Sequence, residues 1–487
     1  MLTVALALTV LLPALGALAV ARLPGRSARA TATIVAALAA GLGIAAIVGA
    51  YPVGHRVALG RLPWLGDEAG RGLLGLMLDP LSSVLLVVVV VIGFLTVLYS
   101  VAYLTEGNRD HPVGPQDQGR YYFWLLLFLA SMAGVATAPN FLQLFVFWEL
   151  TTVCSWALIS FYRNETSLRA GFKALLVTHI GAVFFVVALL VLFVQTGSFG
   201  FDALARLGSS SRFVVFGCLM LAAWAKAAQV PAHTWLPDAM AAPTPISAYL
   251  HAAAMVKAGV YLMARAASAG WAMPQGLAIV LAVMAVVTMF LALSYYFVQD
   301  DLKRLLAYST IAHLGYVLLG VALGAMGATV GFRGGVLHII CHGFGKATLF
   351  LCAGAIGYST GTRSIAALGG LARRMPITAV AFFVGLLAVT GIPPFACFWS
   401  KFMLLAGALT LPGFAGPALL VLLLAETLIA FAWMLYVGQK IFFGAATPAT
   451  EIARDPPLAM RITLVLLILG SLAAPLVGVP LVRLIGG

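Results

Sequence analysis

The sequence predicts an all-α polytopic membrane protein of about 14 transmembrane helices, with two inverted five-helix repeats that contain broken helices. Three observations carry this. Of 487 residues 63% are hydrophobic and only 9% charged, with a mean hydropathy of +1.07. Long apolar runs follow one another without a soluble insert. Two of those runs are interrupted by proline at matching positions.

The composition excludes several classes at once. A soluble domain carries roughly a quarter charged residues, so this chain cannot cover a water-facing surface, and a disordered chain or a disulfide scaffold is excluded with it. Runs such as 81–98 and 462–482 are unbroken, long enough for helices of about 20 residues. Barrel strands would instead alternate in polarity over roughly ten residues. Spans centre near residues 12, 40, 92, 130, 150, 183, 220, 256, 285, 315, 345, 388, 428 and 470. No basic residue precedes the first run, and Arg22, Arg26 and Arg29 follow it, which reads as a retained span rather than a cleaved signal.

The net charge of +13 is mostly topology rather than a nucleic-acid footprint. When the loop after the first span is labelled odd, odd loops hold 16 basic residues, Lys303 among them, and even loops hold 7, Arg265 among them. Positive-inside reasoning then expects odd loops in the cytoplasm and both termini outside, in a bacterial-type cytoplasmic (inner) membrane. Apart from Arg483, four lysines remain: Lys226, Lys257, Lys346 and Lys401, all inside spans or at their breaks. The five cysteines are scattered without a CxxC pair and read as small packing residues.

The expected units are N-terminal helices at 1–121, a first five-helix repeat at 122–268, a second at 269–443 and a C-terminal helix at 444–487. Prolines interrupt the fourth span of each repeat, at Pro231 and Pro237 near Lys226 and at Pro393 and Pro394 near Lys401. Proline removes a helix hydrogen bond, and the freed backbone survives at membrane depth only where protein or a water-filled cavity satisfies it. Paired breaks in two halves are the sequence signature of a transporter site built on repeats. Five spans per unit is odd, so adjacent units would be inverted.

The titratable residues inside these spans are Glu149, Lys226, His251, Lys257, His313, His338, His342, Lys346 and Lys401. Each is costly in hydrocarbon. An ammonium deprived of its counter-charge gives up its proton readily, so a series of such groups is a proton relay by its chemistry. Individually, some could merely join helices or snorkel to the interface. His338 and His342 stand four apart, which is metal-ligand spacing, and Cys341 between them gives a superficial haem-attachment look. The first cysteine of CxxCH is missing, no carboxylate is near in sequence, and Lys346 one turn on is a poor neighbour for a metal. No metal is therefore expected. His179 and Lys173 at the start of a span read as interface anchors or as part of the relay. Glu426 closes the relay's outer end or pairs with a neighbouring subunit. No GxGxxG or Walker A pattern stands out, so redox cofactors would belong to other chains.

With these motifs in view, the chain resembles the antiporter-like family: the proton-pumping subunits of respiratory complex I, Mrp cation/proton antiporters and the membrane arms of group 4 hydrogenases. The resemblance rests on Phe147-Trp148-Glu149-Leu150 and on Lys226 followed by Pro231-Ala-His-Thr-Trp-Leu-Pro237-Asp238. Ala242-Pro-Thr-Pro-Ile-Ser247 with His251, and Asp301-Leu-Lys303-Arg304 running to Tyr308-Ser309-Thr310, carry it further. His338, His342 and Lys346, and Gly391-Ile-Pro-Pro with Ser400-Lys401, extend it over most of the chain. Within the family, the likeness runs to component D of hydrogenase-4, on Tyr99–Thr105, Arg109-Asp-His111, Cys154–Ser160 and Lys173–Gly181.

The resemblance implies fourteen helices and two inverted repeats. It implies that Glu149 pairs with Lys226, that Lys257 and His251 are central, that His338 and His342 connect and that Lys401 lies outermost. It implies a proton-translocating subunit of a hydrogenase-type or complex I-like redox assembly. Partners would be other antiporter-like and small membrane subunits, a peripheral redox arm and membrane lipid, with no nucleic acid. Nickel–iron and iron–sulfur centres or quinone would sit in those partners, with no cofactor in this chain. Where the large complex I subunit carries Arg and then Asp three residues later, this chain has His179 and Ala182. Its end at Gly487 leaves no room for that subunit's long lateral helix. The rival expectations are an Mrp-type Na⁺/H⁺ antiporter subunit and a purely structural membrane-arm module.

Overall fold

The structure is a computed structural model that describes residues 1–60 and 74–486. Gly487, named above, and Arg61 and Arg71, two of the seven even-loop basic residues, lie outside the described residues. The N-terminal helices are α1 (Leu2–Val20), α2 (Gly25–Ala50) and α3 (Pro80–Tyr103). Next come α4 (Pro115–Thr137), α5 (Phe141–Ile159), α6 (Glu165–Thr196), α7 (Ser209–Lys226), α8 (Trp235–Asp238), α9 (Thr244–Ala252) and α10 (Met255–Ser268). The second half holds α11 (Gln275–Ser294), α12 (Leu302–Ala325), α13 (Thr329–Thr360), α14 (Pro376–Thr390), α15 (Ala396–Ala408) and α16 (Ala415–Phe443). The last helix is α17 (Leu458–Arg483). Among the described residues, 12 stretches are long and apolar enough to cross a membrane. Two shorter apolar helices, α14 and α15, flank the proline break at 393–394. The protein is a multi-pass all-α membrane protein.

Local chemistry sets the helix ends. Asp79, Asn140, Asn164 and Asp301 cap α3, α5, α6 and α12 by accepting a backbone N–H three residues on, as N-cap residues do. Pro80, Pro115 and Pro376 sit in first turns, where a missing N–H costs nothing. One element escaped the sequence reading. In the polar stretch before α3, β1 (His55–Gly60) and β2 (Leu74–Leu78) pair antiparallel, His55 opposite Leu78. The Gln143 amide on α5 clasps the Gly75 backbone at 3.0 and 2.8 Å, which fastens this hairpin to the bundle.

Burial sorts the helices. An 18-residue stretch of each of the spans 244–268 and 329–360 is wholly buried by protein, whereas only 22% of α16's apolar window is. The helices that carry Lys257, His313, His338, His342 and Lys346 are thus interior, away from lipid. They also pack closely. A Cβ on Gly320 of α12 would lie 2.6 Å from the Gly335 Cα of α13, so small residues let these two backbones touch.

Two residues assigned above to loops are corrected. Lys303 is fully buried. In the first turn of α12 it donates to the Met240 and Ala242 carbonyls at 2.8 and 2.7 Å, holding the end of the α8 segment. Arg265 is buried too and pairs with Asp79. Sequence windows place both near loop ends because they lie within a turn or so of a helix terminus, but the neighbouring helices enclose them. Lys173, expected at an interface, bonds Asp238 at 2.7 Å, and Arg304 meets the other oxygen of the same carboxylate at 2.9 Å.

Replacing Gly335 with leucine should splay α12 from α13. The expected cost is about 1–3 kcal/mol or more, as for other overpacked interiors. Thermal unfolding of the purified chain would show it as a lowered midpoint.

Candidate proton-transfer site

His338, His342 and Lys346 lie one turn apart on α13, and between them they reach α10, α12 and α15. The His338 Nδ1 is 2.8 Å from the Ser400 Oγ on α15, and its Nε2 is 2.9 Å from the His313 Nδ1 on α12. The His342 Nδ1 is 2.8 Å from the Lys257 Nζ on α10. Lys346 donates to the Leu306 carbonyl at 3.3 Å and to the Ser309 hydroxyl, both on α12. The rings form one cluster, with His313 centred 5.0 Å from His342 and 5.2 Å from His338. All five of these titratable residues are buried.

The cluster continues toward α16. Tyr316, one turn beyond His313 on α12, has its ring 5.4 Å from His338. Its hydroxyl donates to Glu426 and lies 3.0 Å from the Thr427 Oγ1. Lys401 donates to the same Thr427 hydroxyl at 3.0 Å. Its Nζ is 3.9 Å from the Glu426 carboxylate and 4.5 Å above the Tyr316 ring. It also donates at 3.3 Å to the Thr390 carbonyl, which the helix break at Gly391 leaves free. Of the two readings of Glu426, the structure favours the internal one: the residue is fully buried and faces Lys401 and Tyr316.

The first half is arranged differently from the implied pairing. Lys226 is fully buried, but it donates to the Trp148 carbonyl at 2.6 Å and to the Thr152 hydroxyl at 2.9 Å, with its Nζ 4.2 Å above the Trp148 ring. Trp148 and Thr152 are four apart and share the α5 face turned to α7. Glu149 is about 100° around the helix and meets His179 of α6, Oε2 to Nδ1, at 2.9 Å. The His179 side chain is 64% exposed and that of Glu149 24%, so this pair stands at the rim of the bundle. His251, at the end of α9, packs its ring at a tilt against Phe350, centres 4.6 Å apart, and neither of its ring nitrogens has a hydrogen-bond partner among the described residues. The structure does not hydrogen-bond Glu149, Lys226 or His251 to the central cluster.

Gln229, Ser309, Tyr316, Thr390, Ser400 and Thr427 were missed by sequence reasoning because uncharged side chains do not stand out among helix-packing residues. Their one signal is position: Ser400 precedes Lys401, Thr427 follows Glu426, and Gln229 lies between Lys226 and Pro231. The Gln229 amide donates to the Ala227 carbonyl at 2.9 Å and reaches the Ile311 carbonyl of α12 at 3.4 Å. At the same break, Trp235 donates to the Ala225 carbonyl at 3.0 Å. The freed backbone is thus satisfied by protein.

This arrangement can pass a proton. A neutral imidazole has one N–H and one lone pair. Ser400 can donate to the Cys397 carbonyl, 3.1 Å away, and then accepts from His338 Nδ1–H. His338 Nε2 must in turn accept from His313 Nδ1–H, an order assigned from the network. A proton added at one end and removed at the other reverses each bond in turn. Between Lys257 and His342 one nitrogen must donate and the other accept, so that contact holds a transferable proton in either charge state.

The sequence over 138–430, more than half the chain, matches the family described as NADH:quinone oxidoreductase/Mrp antiporter, TM. The chain belongs to this antiporter-like family. Residues 72–112 of this family member also match the N-terminus of NADH-ubiquinone oxidoreductase (complex I), chain 5. It is 38% identical over 368 residues to the chloroplastic NAD(P)H-quinone oxidoreductase subunit 5 of Chaetosphaeridium globosum, covering 71% of this chain and 52% of that one. The Physcomitrium patens counterpart is 38% identical over 360 residues, covering 69% and 48%. The chain therefore spans about half the length of the curated relatives it matches. Among solved structures, the Mrp complex from Dietzia sp. DQ12-45-1b aligns with TM-score 0.85 and 32% identity over 100% of this chain and 52% of that chain. The membrane-bound sulfane sulfur reductase, an archaeal respiratory membrane complex, aligns with TM-score 0.83 and 26% identity over 99% and 96%.

Tyr316→Phe removes the donor from buried Glu426. The expected loss is about 1–3 kcal/mol, the cost of an unsatisfied buried acceptor. Denaturant unfolding should show that loss largely absent when Glu426→Leu is made in the same chain.

Proposed function

We propose that this antiporter-like chain moves protons across a membrane as one subunit of a complex I-like or hydrogenase-type redox assembly. One observation carries the reading: titratable and hydroxyl side chains of α10, α12, α13, α15 and α16 form an almost continuous buried series, from Lys257 through His342, His313 and His338 to Tyr316, Glu426 and Lys401. Purely structural polar packing would not need three histidines and two lysines in one buried series where charge is most costly. Glu149 with His179 at the bundle rim is where a partner subunit would bias the series. Lys226 is the first internal acceptor, and Lys401 with Glu426 is the terminal site. His251 serves the central region, its unpartnered ring nitrogens suited to bound water.

The excess of basic residues in odd loops supports a cytoplasmic location for those loops and termini on the outside of a bacterial-type inner membrane. Electrons would be handled by partner chains in a peripheral arm, with nickel–iron, iron–sulfur or quinone chemistry there. Other antiporter-like subunits, small membrane subunits and lipid would complete the surroundings. Similarity to the archaeal respiratory complex over nearly the whole of both chains favours a redox-driven assembly, and the component D motifs favour the hydrogenase-type branch. The Mrp likeness, 32% identical over the full chain, keeps a second reading: an Mrp-type Na⁺/H⁺ antiporter subunit.

Reconstituted with its native partners, the complex should lose most proton pumping on Glu149→Gln or Lys226→Ala, while electron transfer is retained at least in part. Undiminished pumping in both variants would overturn the relay. Restored growth of an antiporter-deficient host in high sodium would select the Mrp reading instead, and co-purifying nickel and iron–sulfur protein would select the hydrogenase-type one.

A further inference from the structure

Lys257 is the central residue of the series, and it sits on a second stripe that leads elsewhere. Lys257, Tyr261 and Arg265 follow one another at four-residue steps along α10, on one face of the helix. All three are buried. The stripe ends at a cavity of about 260 Å³ at the even-loop face, lined by Asp79, Phe201, Arg265, Ser268, Trp271 and Ile485 among others. Nothing in the lysine–histidine series accounts for this feature.

The bonding there is dense. Arg265 donates to the Asp79 Oδ1 and the Tyr261 hydroxyl, both at 2.8 Å, and to the Ser82 Oγ at 2.9 Å, and a second guanidinium N–H reaches the other Asp79 oxygen. Tyr261 donates to the Ala136 carbonyl at 3.1 Å and lies 3.3 Å from the Ser82 Oγ. Three elements, α3, α4 and α10, are thus tied at one point. Arg265 keeps one unpartnered buried atom, Nε.

The order of the charges matters more than their number. The guanidinium is the inner member, its side chain 7% exposed, and the Asp79 carboxylate is the outer one at 34%. The pair is therefore a dipole with its positive end facing Lys257. Burial alone would raise the Asp79 carboxyl, but the Arg265 charge and hydrogen bonds outweigh it and hold it at about 2. The pair stays ionised at any physiological pH. A fixed cation between a proton carrier and an aqueous cavity repels protons from that route, as arginine does in selective pores.

We propose that Arg265, held by Asp79, Ser82 and Tyr261, is an electrostatic plug that closes a direct exit from Lys257 to the even-loop face. With the plug in place, a proton on Lys257 leaves sideways through His342, and passage is forced along the series to Lys401. The inference rests on proton transport through Lys257, but it assigns a function to residues outside that series: insulation rather than conduction.

The test uses the complex containing this chain in sealed vesicles, with no redox substrate and a potassium–valinomycin potential imposed, and reads passive proton entry with an internal pH dye. Arg265→Gln should raise the leak several-fold, Arg265→Lys should keep it near the parent value, and Arg265→Gln with Lys257→Met should abolish the increase. If Arg265→Gln impairs folding, Arg265→Gln combined with Asp79→Asn provides the same test, because it removes the cation without leaving the carboxylate unpaired. A folded Arg265→Gln complex, single or combined, that stays as tight as the parent overturns the plug. So does a leak that persists in the Lys257→Met background. Failure of the relay reading shows separately, as redox-driven pumping that survives Lys257→Met alone.

Discussion

A lysine ammonium inside a membrane protein must be surrounded by compensating groups, and the rest of this structure is arranged around that requirement. Of the five fully or nearly fully buried lysines of the interior, only Lys401 has a carboxylate within 4 Å among the described residues, that of Glu426, and their bonds go otherwise to carbonyls, hydroxyls and one imidazole. Neutral partners hold an ammonium without fixing it, because none offers a counter-charge strong enough to trap it. The helix breaks serve the same end. By ending α14 at Thr390, the chain exposes a carbonyl for Lys401. By ending the α8 segment near Met240, it exposes carbonyls for Lys303.

Much of this is legible in the amino-acid order. Hydropathy locates most of the spans because a span needs length and apolarity, and both are local properties. The prolines at 231, 237, 393 and 394 mark where backbone is freed. The spacing of His338, His342 and Lys346 marks one helical face. What could not be read is the partner of each group. Glu149 and Trp148 are neighbours in sequence, yet they point to different helices, and only the packing decides that Trp148 meets Lys226 while Glu149 meets His179. Ser400, Tyr316 and Thr427 are ordinary helix residues by composition and become part of the site through contacts spanning up to 111 positions. Lys303 and Arg265 look like loop charges because their enclosure comes from helices distant in sequence.

The two halves also differ in a way that bears on mechanism. The second half, together with Lys257 at the end of the first, is joined almost continuously as far as Lys401. The first half is not: Lys226 is bound to its own neighbour helix, Glu149 is turned to the rim, and Gln229 reaches α12 without meeting a titratable group. On the proposed reading, that is a connected output and a disconnected input. Lys226 and Glu149 are not hydrogen-bonded to each other but remain within electrostatic reach. A site at the rim that sees a partner subunit is well placed to bias this pair.

The central claim is that protons pass through the imidazole of His338, the one ring bonded on both sides. It is tested most directly by the ratio of protons moved to electrons transferred in the reconstituted complex carrying His338→Phe, which keeps an aromatic ring and removes both nitrogens. The account predicts that this ratio falls sharply while the complex still assembles and turns over. An unchanged ratio would contradict it.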